Sequence, residues 1–270
     1  MRCLACLLIA AGFCTVSLAG TTAAERRVDL ELILAADISG SMDMDEATLQ
    51  RQGYVQALRH PEVIAAIQSG QHGRIAIAYM EWAGEYYQKM VVDWTEISDA
   101  ASANAFADRV DAPIVGTEAY TSISTLITAA SQSFETNGYF GERQVIDISG
   151  DGPNNRGEYI VHARDRALDR GIVINGLPIV NDRPSFFGLP PLKNLDLYYQ
   201  DCVIGGPGAF IVVANGFDDF ARAILRKMVQ EIAGRPMVKP LLHFAADRVH
   251  PPCNAGELQL ERWRPEIGDY

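Results

Sequence analysis

The sequence predicts an α/β fold with a doubly wound, mostly parallel sheet, helices on both faces and one antiparallel edge strand. Short, nearly continuous apolar runs alternate with amphipathic stretches from Val28 to Ala233. Continuous apolar runs are typical of strands buried on both faces, and their alternation with helices is typical of parallel sheets. The runs at 74–83 and 86–94 are separated by a short turn, which predicts a hairpin and an antiparallel edge.

The first half of the chain begins with a strand at 28–36 that ends abruptly in polar residues. Asp43 and Glu46, three positions apart, have the spacing of a capping box and predict a helix that ends before Pro61. After a short helix at 62–67 and the hairpin, the pattern predicts helices at 98–110 and 121–134, with Ser98 as the N-cap of the first.

The second half continues the alternation. The apolar run 144–149 predicts a central strand that ends in Gly150-Asp151-Gly152. Gly171 is typical of a helix C-terminus and closes the predicted helix 158–170. The remaining predicted elements are a strand at 172–180, a short helix at 195–202, a last strand at 209–214 and an amphipathic helix at 217–233.

Three segments divide the chain. Residues 1–24 have the basic start, the apolar centre and the small residues before Glu25 that are typical of a signal peptide. We weigh cleavage after Ala19 and a membrane anchor as alternatives, but the apolar run is short for a membrane span. Prolines become frequent after residue 234, so we predict one domain at 25–234 and a tail at 235–270 that docks on it. The sequence therefore predicts an exported protein, periplasmic or secreted, with no stable membrane insertion.

Cysteine usage fits this location. Three of the five cysteines lie in the leader, which leaves Cys202 and Cys253. An even pair in an oxidising compartment predicts a Cys202–Cys253 disulfide that ties the tail to the domain, with two free thiols as the alternative.

The charge excludes one class of partner. The chain has 23 basic and 34 acidic residues, so removing the leader with Arg2 leaves 22 against 34, a net charge of −12. Nucleic-acid binding needs clustered Lys and Arg to neutralise phosphates, and no basic stripe is present. We therefore predict no nucleic-acid partner.

Oxygen-bearing side chains follow the predicted strand ends. Asp37, Ser39 and Ser41 come directly after the first strand, Thr121 stands at the start of a helix and Asp151 follows the strand 144–149. Ligands bind beyond the carboxyl ends of strands in open α/β sheets. Carboxylate and hydroxyl oxygens suit hard divalent cations. The sequence predicts a site for Mg²⁺ first, with Mn²⁺ or Ca²⁺ as alternatives.

On these residues the chain resembles the von Willebrand factor type A (vWA) family, over about Val28 to Ala233. The family's metal-ion-dependent adhesion site, or MIDAS, combines an Asp-x-Ser-x-Ser loop with a Thr and an Asp from two further loops. The stretch 149–155 resembles an exported bacterial branch of the family, a domain of unknown function. The resemblance implies that the metal ligands are Asp37, Ser39, Ser41, Thr121 and Asp151. It also implies a binding module, not an enzyme, whose metal binds an acidic group of a protein partner.

Alternatives remain at this point. Thr117 competes with Thr121 for the second loop, and Asp43 with Asp45 resembles a second metal site of integrin β subunits, although helix capping is the favoured role. A metal-dependent hydrolase that uses the same ion as a Lewis acid is the alternative function. A third interpretation is a structural domain that binds no metal. The sequence contains no nucleophile motif, phosphate-binding loop or zinc-protease motif that favours the enzyme.

Overall fold

The computed structural model describes residues 26–113, 116, 118–184, 188–234 and 248–267. The predicted leader and Thr117 lie outside this part of the chain. Among the described helices, none has the length and apolar character needed to cross a bilayer.

Strands and helices alternate through most of the described chain. The strands are β1 Arg26–Val28, β2 Glu31–Asp37, β3 Ile75–Trp82, β4 Gln88–Ile97, β5 Tyr139–Gly141, β6 Gln144–Gly150, β7 Val173–Val180 and β8 Ala214–Asn215. The helices are α1 Met44–Leu58, α2 Pro61–Gln68, α3 Ala100–Val110, α4 Ile123–Ser133, α5 Ile160–Asp169, α6 Leu195–Tyr198, α7 Phe220–Ala233 and α8 Ala255–Ile267.

Six strands form the main sheet in the order β4-β3-β2-β6-β7-β8. Every pair is parallel except β3 with β4, which is the predicted antiparallel hairpin at the edge. The fold predicted from the sequence is therefore confirmed. The chain winds from β2 to one side of the sheet and later to the other, so the order reverses beside β2, where open α/β sheets bind ligands. The short strands β1 and β5 pair separately.

Helices cover both faces because β2 is apolar on both. Leu32 and Leu34 pack into a core with α1, α2, α3 and α7, whereas Ile33 and Ala35 pack on the other side against α4, α5 and α6. All seven residues of β2 are buried. The strand is thus fixed from both sides, and its carboxyl end delivers Asp37 at a defined position.

A buried ionic cluster attaches α7 to the sheet. Lys227 Nζ lies 2.6 Å from Asp147 Oδ1 on β6 and 2.9 Å from Glu231 Oε2, and all three side chains have 0% exposure. Asn175 on β7 donates to the other Glu231 oxygen at 2.6 Å. Burial, together with Glu231, raises the pKa of Asp147 to about 8 although Lys227 opposes the shift. Asp147 therefore keeps its proton to a higher pH than an exposed aspartate does, and Lys227 is the cation that faces both Asp147 and Glu231.

One expectation for the C-terminal part is wrong. The last strand, expected at 209–214, is reduced to Ala214–Asn215, and within 209–213 only Ile211 forms an isolated bridge. The backbone N–H of Phe210 donates instead to the side chain of Asn175 at 2.9 Å, which interrupts the ladder. The predicted tail also contains the helix α8, which the proline-rich pattern had not indicated. Proline is tolerated just before a helix, and Pro251-Pro252 stand there.

Smaller differences concern helix ends. Asp43 and Glu46 form the predicted capping box of α1, with N–H to carboxylate distances of 2.8 and 3.0 Å. Asp99, not Ser98, caps α3, since its side chain accepts from the N–H of Ser102.

Cys202 and Cys253 form a disulfide, as the sequence predicts. The division of the chain at residue 234 stays a prediction.

Replacing Lys227→Met tests the buried cluster. The variant leaves Glu231 without its cation, and breaking a buried ion pair costs about 3–5 kcal/mol. The loss should be larger at pH 9 than at pH 6, because Asp147, with its pKa raised to about 8, becomes charged across that interval. Lys227 lowers the pKa of Asp147, so its removal raises that pKa further, and an acid with a raised folded-state pKa destabilises the fold more as the pH rises. Urea unfolding at both pH values measures the effect.

Arg226→Met is the matched control, because Arg226 precedes Lys227 on the same helix but is exposed. We expect its free energy of unfolding to stay within about 0.5 kcal/mol of wild type. Equal losses in the two variants would contradict the role assigned to the cluster.

Candidate metal site

Asp37 ends β2 and is held in place from several directions. Its side chain has 0% exposure, and its Oδ1 accepts from the backbone N–H of Ser39 at 2.7 Å. Gln50 on α1 donates to the backbone carbonyl of Asp37, also at 2.7 Å, and accepts from the Ser149 hydroxyl at 2.9 Å. Tyr54 donates to that same hydroxyl at 2.9 Å. The helix that follows β2 thereby fixes the end of the strand.

Three hydroxyls lie in a row beyond Asp37. The oxygens of Ser39 and Ser41 are 3.0 Å apart, and Thr121 donates to Ser39 at 3.2 Å. Ser39 and Thr121 are buried, whereas Ser41 is partly exposed. Thr121 is brought there by the loop before α4, whose first turn is capped by Ser122. Two separate loops thus present adjacent oxygens at one edge of the sheet.

Asp151 completes the row from the carboxyl end of β6. The Ser41 hydroxyl donates to Asp151 Oδ1 in a short contact, and Asn181, just after β7, donates to the other oxygen at 3.4 Å. Glycines on either side of Asp151 leave the space beside these oxygens open, and the space is tight only at Gly150. A β-carbon at Gly150 would lie 2.7 Å from Asp37 Oδ2, and one at Gly152 would lie 3.7 Å from Thr121 Oγ1. The structure therefore brings together all five residues that the sequence selected.

Burial raises the pKa of both carboxyls of the site. Burial first, and then the charge of Asp151, raises the pKa of Asp37 to about 8. Burial, with Glu46 nearby, raises the pKa of Asp151 to about 6. In the described part of the chain no Lys or Arg forms an ion pair with either carboxyl. Arg183, near the site, pairs with Glu46 at 2.8 Å.

Two buried polar atoms beside the row have no hydrogen-bond partner among the described residues. They are Asp37 Oδ2 and the Tyr199 hydroxyl, and both lie within 3 Å of the position that a β-carbon on Gly150 would occupy. An unpartnered carboxylate oxygen is costly to bury and fits a site for a cation or its water. Ligand oxygens about 2.1 Å from an octahedral Mg²⁺ lie about 3.0 Å from their neighbours. The spacing of the hydroxyl row matches this, so the residues fit a hard divalent cation.

The other candidates are placed differently. Asp43 caps α1, and Asp45 is exposed in the first turn of that helix. Thr117 is not among the described residues. Nowhere in the ranges given above do three or more His, Cys, Asp or Glu side chains cluster as metal ligands. A site made mostly of hydroxyls does not form such a cluster.

The residues that join the loops were not predicted from the sequence. Asn155 links Thr121 to the Asp151 loop twice: its N–H donates to the Thr121 carbonyl at 2.8 Å, and its Oδ1 accepts from the Thr121 N–H at 2.9 Å. Asn154 accepts from the Ser124 N–H at 3.0 Å. The sequence did contain a signal for them, because the two consecutive asparagines Asn154 and Asn155 follow soon after Asp151. Asn181 also had a signal, because it follows the parallel strand next to β6.

Comparison with protein families gives one match. A family model described as "Protein of unknown function (DUF1194)" matches residues 27–236, most of the chain. A comparison with curated protein sequences finds no match.

Solved structures share the fold at low sequence identity. The pilus adhesin SpaC from Lactobacillus rhamnosus GG aligns over 76% of this chain and 31% of its own, with 13% identity and a TM-score of 0.55. Proximal thread matrix protein 1 from the mussel byssus, described with a zinc-occupied MIDAS motif, aligns over 76% and 46%, with 15% identity and a TM-score of 0.50. A von Willebrand factor type A protein from Catenulispora acidiphila aligns over 77% and 43%, with 15% identity and a TM-score of 0.50. The chain spans less than half the length of each, and the likeness concerns the fold.

Gly150→Ala tests how tightly the site is built. The added β-carbon would lie 2.7 Å from Asp37 Oδ2 and 2.8 Å from the Tyr199 hydroxyl, so one of them must move. Overpacking of this kind costs about 1–3 kcal/mol, which urea unfolding measures. Gly116→Ala is the control, because no atom of the described residues, its chain neighbours aside, lies within 4 Å of its β-carbon position. A neutral result at Gly150 would contradict the tight geometry.

Proposed function

The chain belongs to the DUF1194 family and has the fold of a vWA domain, and we propose that it is a divalent-cation-dependent protein-binding module. The observation that carries the proposal is the convergence of two buried carboxyls and three hydroxyls from three loops. The ligands would be Asp37, Ser39, Ser41, Thr121 and Asp151.

Each residue type has a distinct part in this proposal. The hydroxyls of Ser39, Ser41 and Thr121 would contact the cation as neutral ligands. Asp37 and Asp151, buried and without an ion-pair partner among the described residues, would supply the balancing charge. Because few ligands are charged, the bound cation keeps enough positive character to attract a carboxylate of a partner. That carboxylate supplies one ligand, and the partner's remaining surface supplies specificity.

Mg²⁺ is the first choice of ion, with Mn²⁺ or Ca²⁺ as alternatives. Hydroxyl and carboxylate oxygens suit hard cations, and the 3.0 and 3.2 Å spacings between hydroxyls suit the small Mg²⁺ shell. Zinc occupies the MIDAS motif of the mussel protein named above, which supports a divalent cation in this fold without identifying the ion here.

The rim of the site has features of a recognition surface. Tyr120, next to Thr121, is 44% exposed and has a φ of 65°, which is unusual for a side chain of this size. The guanidinium of Arg156 lies 4.2 Å from the centre of its ring. Met44, 44% exposed, begins α1 just beyond Ser41. Exposed aromatic, Met and Arg side chains are enriched in protein interfaces, and Arg156 would favour an acidic partner.

The proposed location is outside the cytoplasm, in the periplasm or the medium. The predicted leader at 1–24 and the Cys202–Cys253 disulfide support it, since disulfides persist in oxidising compartments.

Calorimetric titration with Mg²⁺, Mn²⁺ and Ca²⁺ tests the metal site. We expect the wild type to bind, and Asp37→Asn and Asp151→Asn to lose more than the 10–100-fold in affinity typical of groups that only support ligands. Without metal, both variants should stay close to the stability of wild type, because the side-chain oxygen of each amide can still accept from the Ser39 N–H or the Ser41 hydroxyl. Binding losses then cannot be attributed to unfolding.

Asp45→Asn is the control for the titration, since it removes an exposed acid close in sequence to the site. Its affinity should stay within about twofold of wild type. A wild type that binds none of the three ions, or two site variants that bind as well as Asp45→Asn, would refute the metal site.

Peptide arrays test the binding mode. Acidic peptides should be retained with Mg²⁺ and lost with EDTA, while versions with Asn and Gln in place of Asp and Glu should not bind under either condition. Equal binding of the two sets would contradict carboxylate recognition. EDTA-sensitive hydrolysis of generic phosphate or carboxyl esters would contradict the non-enzymatic role.

A further inference from the structure

The C-terminal helix α8 touches the Asp151 loop directly. A β-carbon at Gly256, in the first turn of α8, would lie only 2.0 Å from the backbone oxygen of Asn154. Glu257, the next residue, accepts a hydrogen bond from Asn154 Nδ2 at 2.8 Å. The helix therefore approaches the loop so closely that only glycine fits at 256, and it adds a side-chain contact.

Asn154 connects this helix to both loops of the proposed site. It is fully buried, and its Oδ1 accepts from the N–H of Ser124, in the first turn of α4. Its neighbour Asn155 bonds twice to Thr121. One asparagine pair thus joins the loop that carries Asp151, the loop that carries Thr121, and α8.

The segment before α8 is anchored to the same part of the fold. Cys253 is joined to Cys202, and the Tyr198 hydroxyl, which accepts from the Asn154 N–H at 3.2 Å, donates to the Cys253 carbonyl at 3.5 Å. Arg248 contributes an ion pair with Asp196, whose two oxygens accept at 2.6 and 2.7 Å. The start of α8 is therefore held both by a covalent bond and by the hydrogen bonds that reach the loop.

We infer that α8 is a supporting element of the metal site, in which Glu257 acts through Asn154 to position the Asp151 and Thr121 loops. The inference rests on the proposed function. Metal sites require their ligands to be held closely, and residues that orient ligands typically change affinity 10–100-fold when removed. Among the described residues Glu257 makes no hydrogen bond to a proposed ligand, and it is a positioning residue. Cation affinity thus depends on a helix more than 100 residues beyond Asp151 and on the disulfide that secures it.

Metal titration of three single variants tests this inference. Glu257→Ala removes the acceptor and should weaken Mg²⁺ binding about tenfold. Glu257→Gln keeps a side-chain oxygen for Asn154 Nδ2 and should restore affinity to within about threefold of wild type. Glu261→Ala, one turn further along α8 and exposed, is the matched control and should bind as wild type does. All titrations are run well below the unfolding temperature of each variant.

Variants of the disulfide give a second test of the same inference. The double variant Cys202→Ser/Cys253→Ser should also weaken Mg²⁺ binding, and adding Glu257→Ala to it should cause less than the sum of the separate losses. Such non-additivity is expected when two changes act through one connection. Fully additive losses would overturn the shared route.

The outcomes separate the two proposals. Wild type that binds Mg²⁺ while Glu257→Ala binds equally well overturns this inference and leaves the proposed function intact. Equal weakening by Glu257→Ala and Glu257→Gln also overturns it, because the hydrogen bond would then not be the cause. A wild type that binds no divalent cation overturns the proposed function itself.

Discussion

The burial of two carboxyls at adjacent strand ends is the constraint on which the rest of the site depends. Asp37 and Asp151 lie at the carboxyl ends of β2 and β6, both shielded from water, and their mutual proximity raises the pKa of Asp37 further. The features around them offset part of this cost and leave part of it uncompensated. The hydroxyls of Ser39 and Ser41 donate or accept beside them, glycines leave room, and one carboxylate oxygen has no partner among the described residues.

Two buried aspartates, one on β6 and one just beyond it, differ in whether the chain places a cation beside them. Asp147 and Asp151 both lie on or just beyond β6, four residues apart and both buried. Asp147 faces α7, which brings Lys227 against it at 2.6 Å, so the chain supplies the cation itself. No described cation pairs with Asp151. The carboxyl in the middle of β6 therefore faces a cation of the chain itself, whereas the one just beyond its carboxyl end is suited to an ion from outside.

Support for the site comes from residues far apart in the chain. Gln50 on α1 holds the backbone of Asp37, Asn155 holds Thr121, and Glu257 on α8 contacts Asn154. These bonds reach the site from helices on both faces of the sheet. Rigid packing of this kind places ligands more precisely than loops do alone, which explains why irregular loops can present a regular row of oxygens.

The sequence by itself determined the parallel sheet with its antiparallel edge, the disulfide pair and the five converging residues. It did so because apolar runs, strand ends and cysteine counts are local patterns whose consequences are general. Only the tertiary structure decided how these parts are held. The role of Asn154, the approach of α8 and the pairing of Asp147 with Lys227 each depend on contacts between distant segments. No local periodicity encodes such contacts, because they arise from how the helices pack around the sheet.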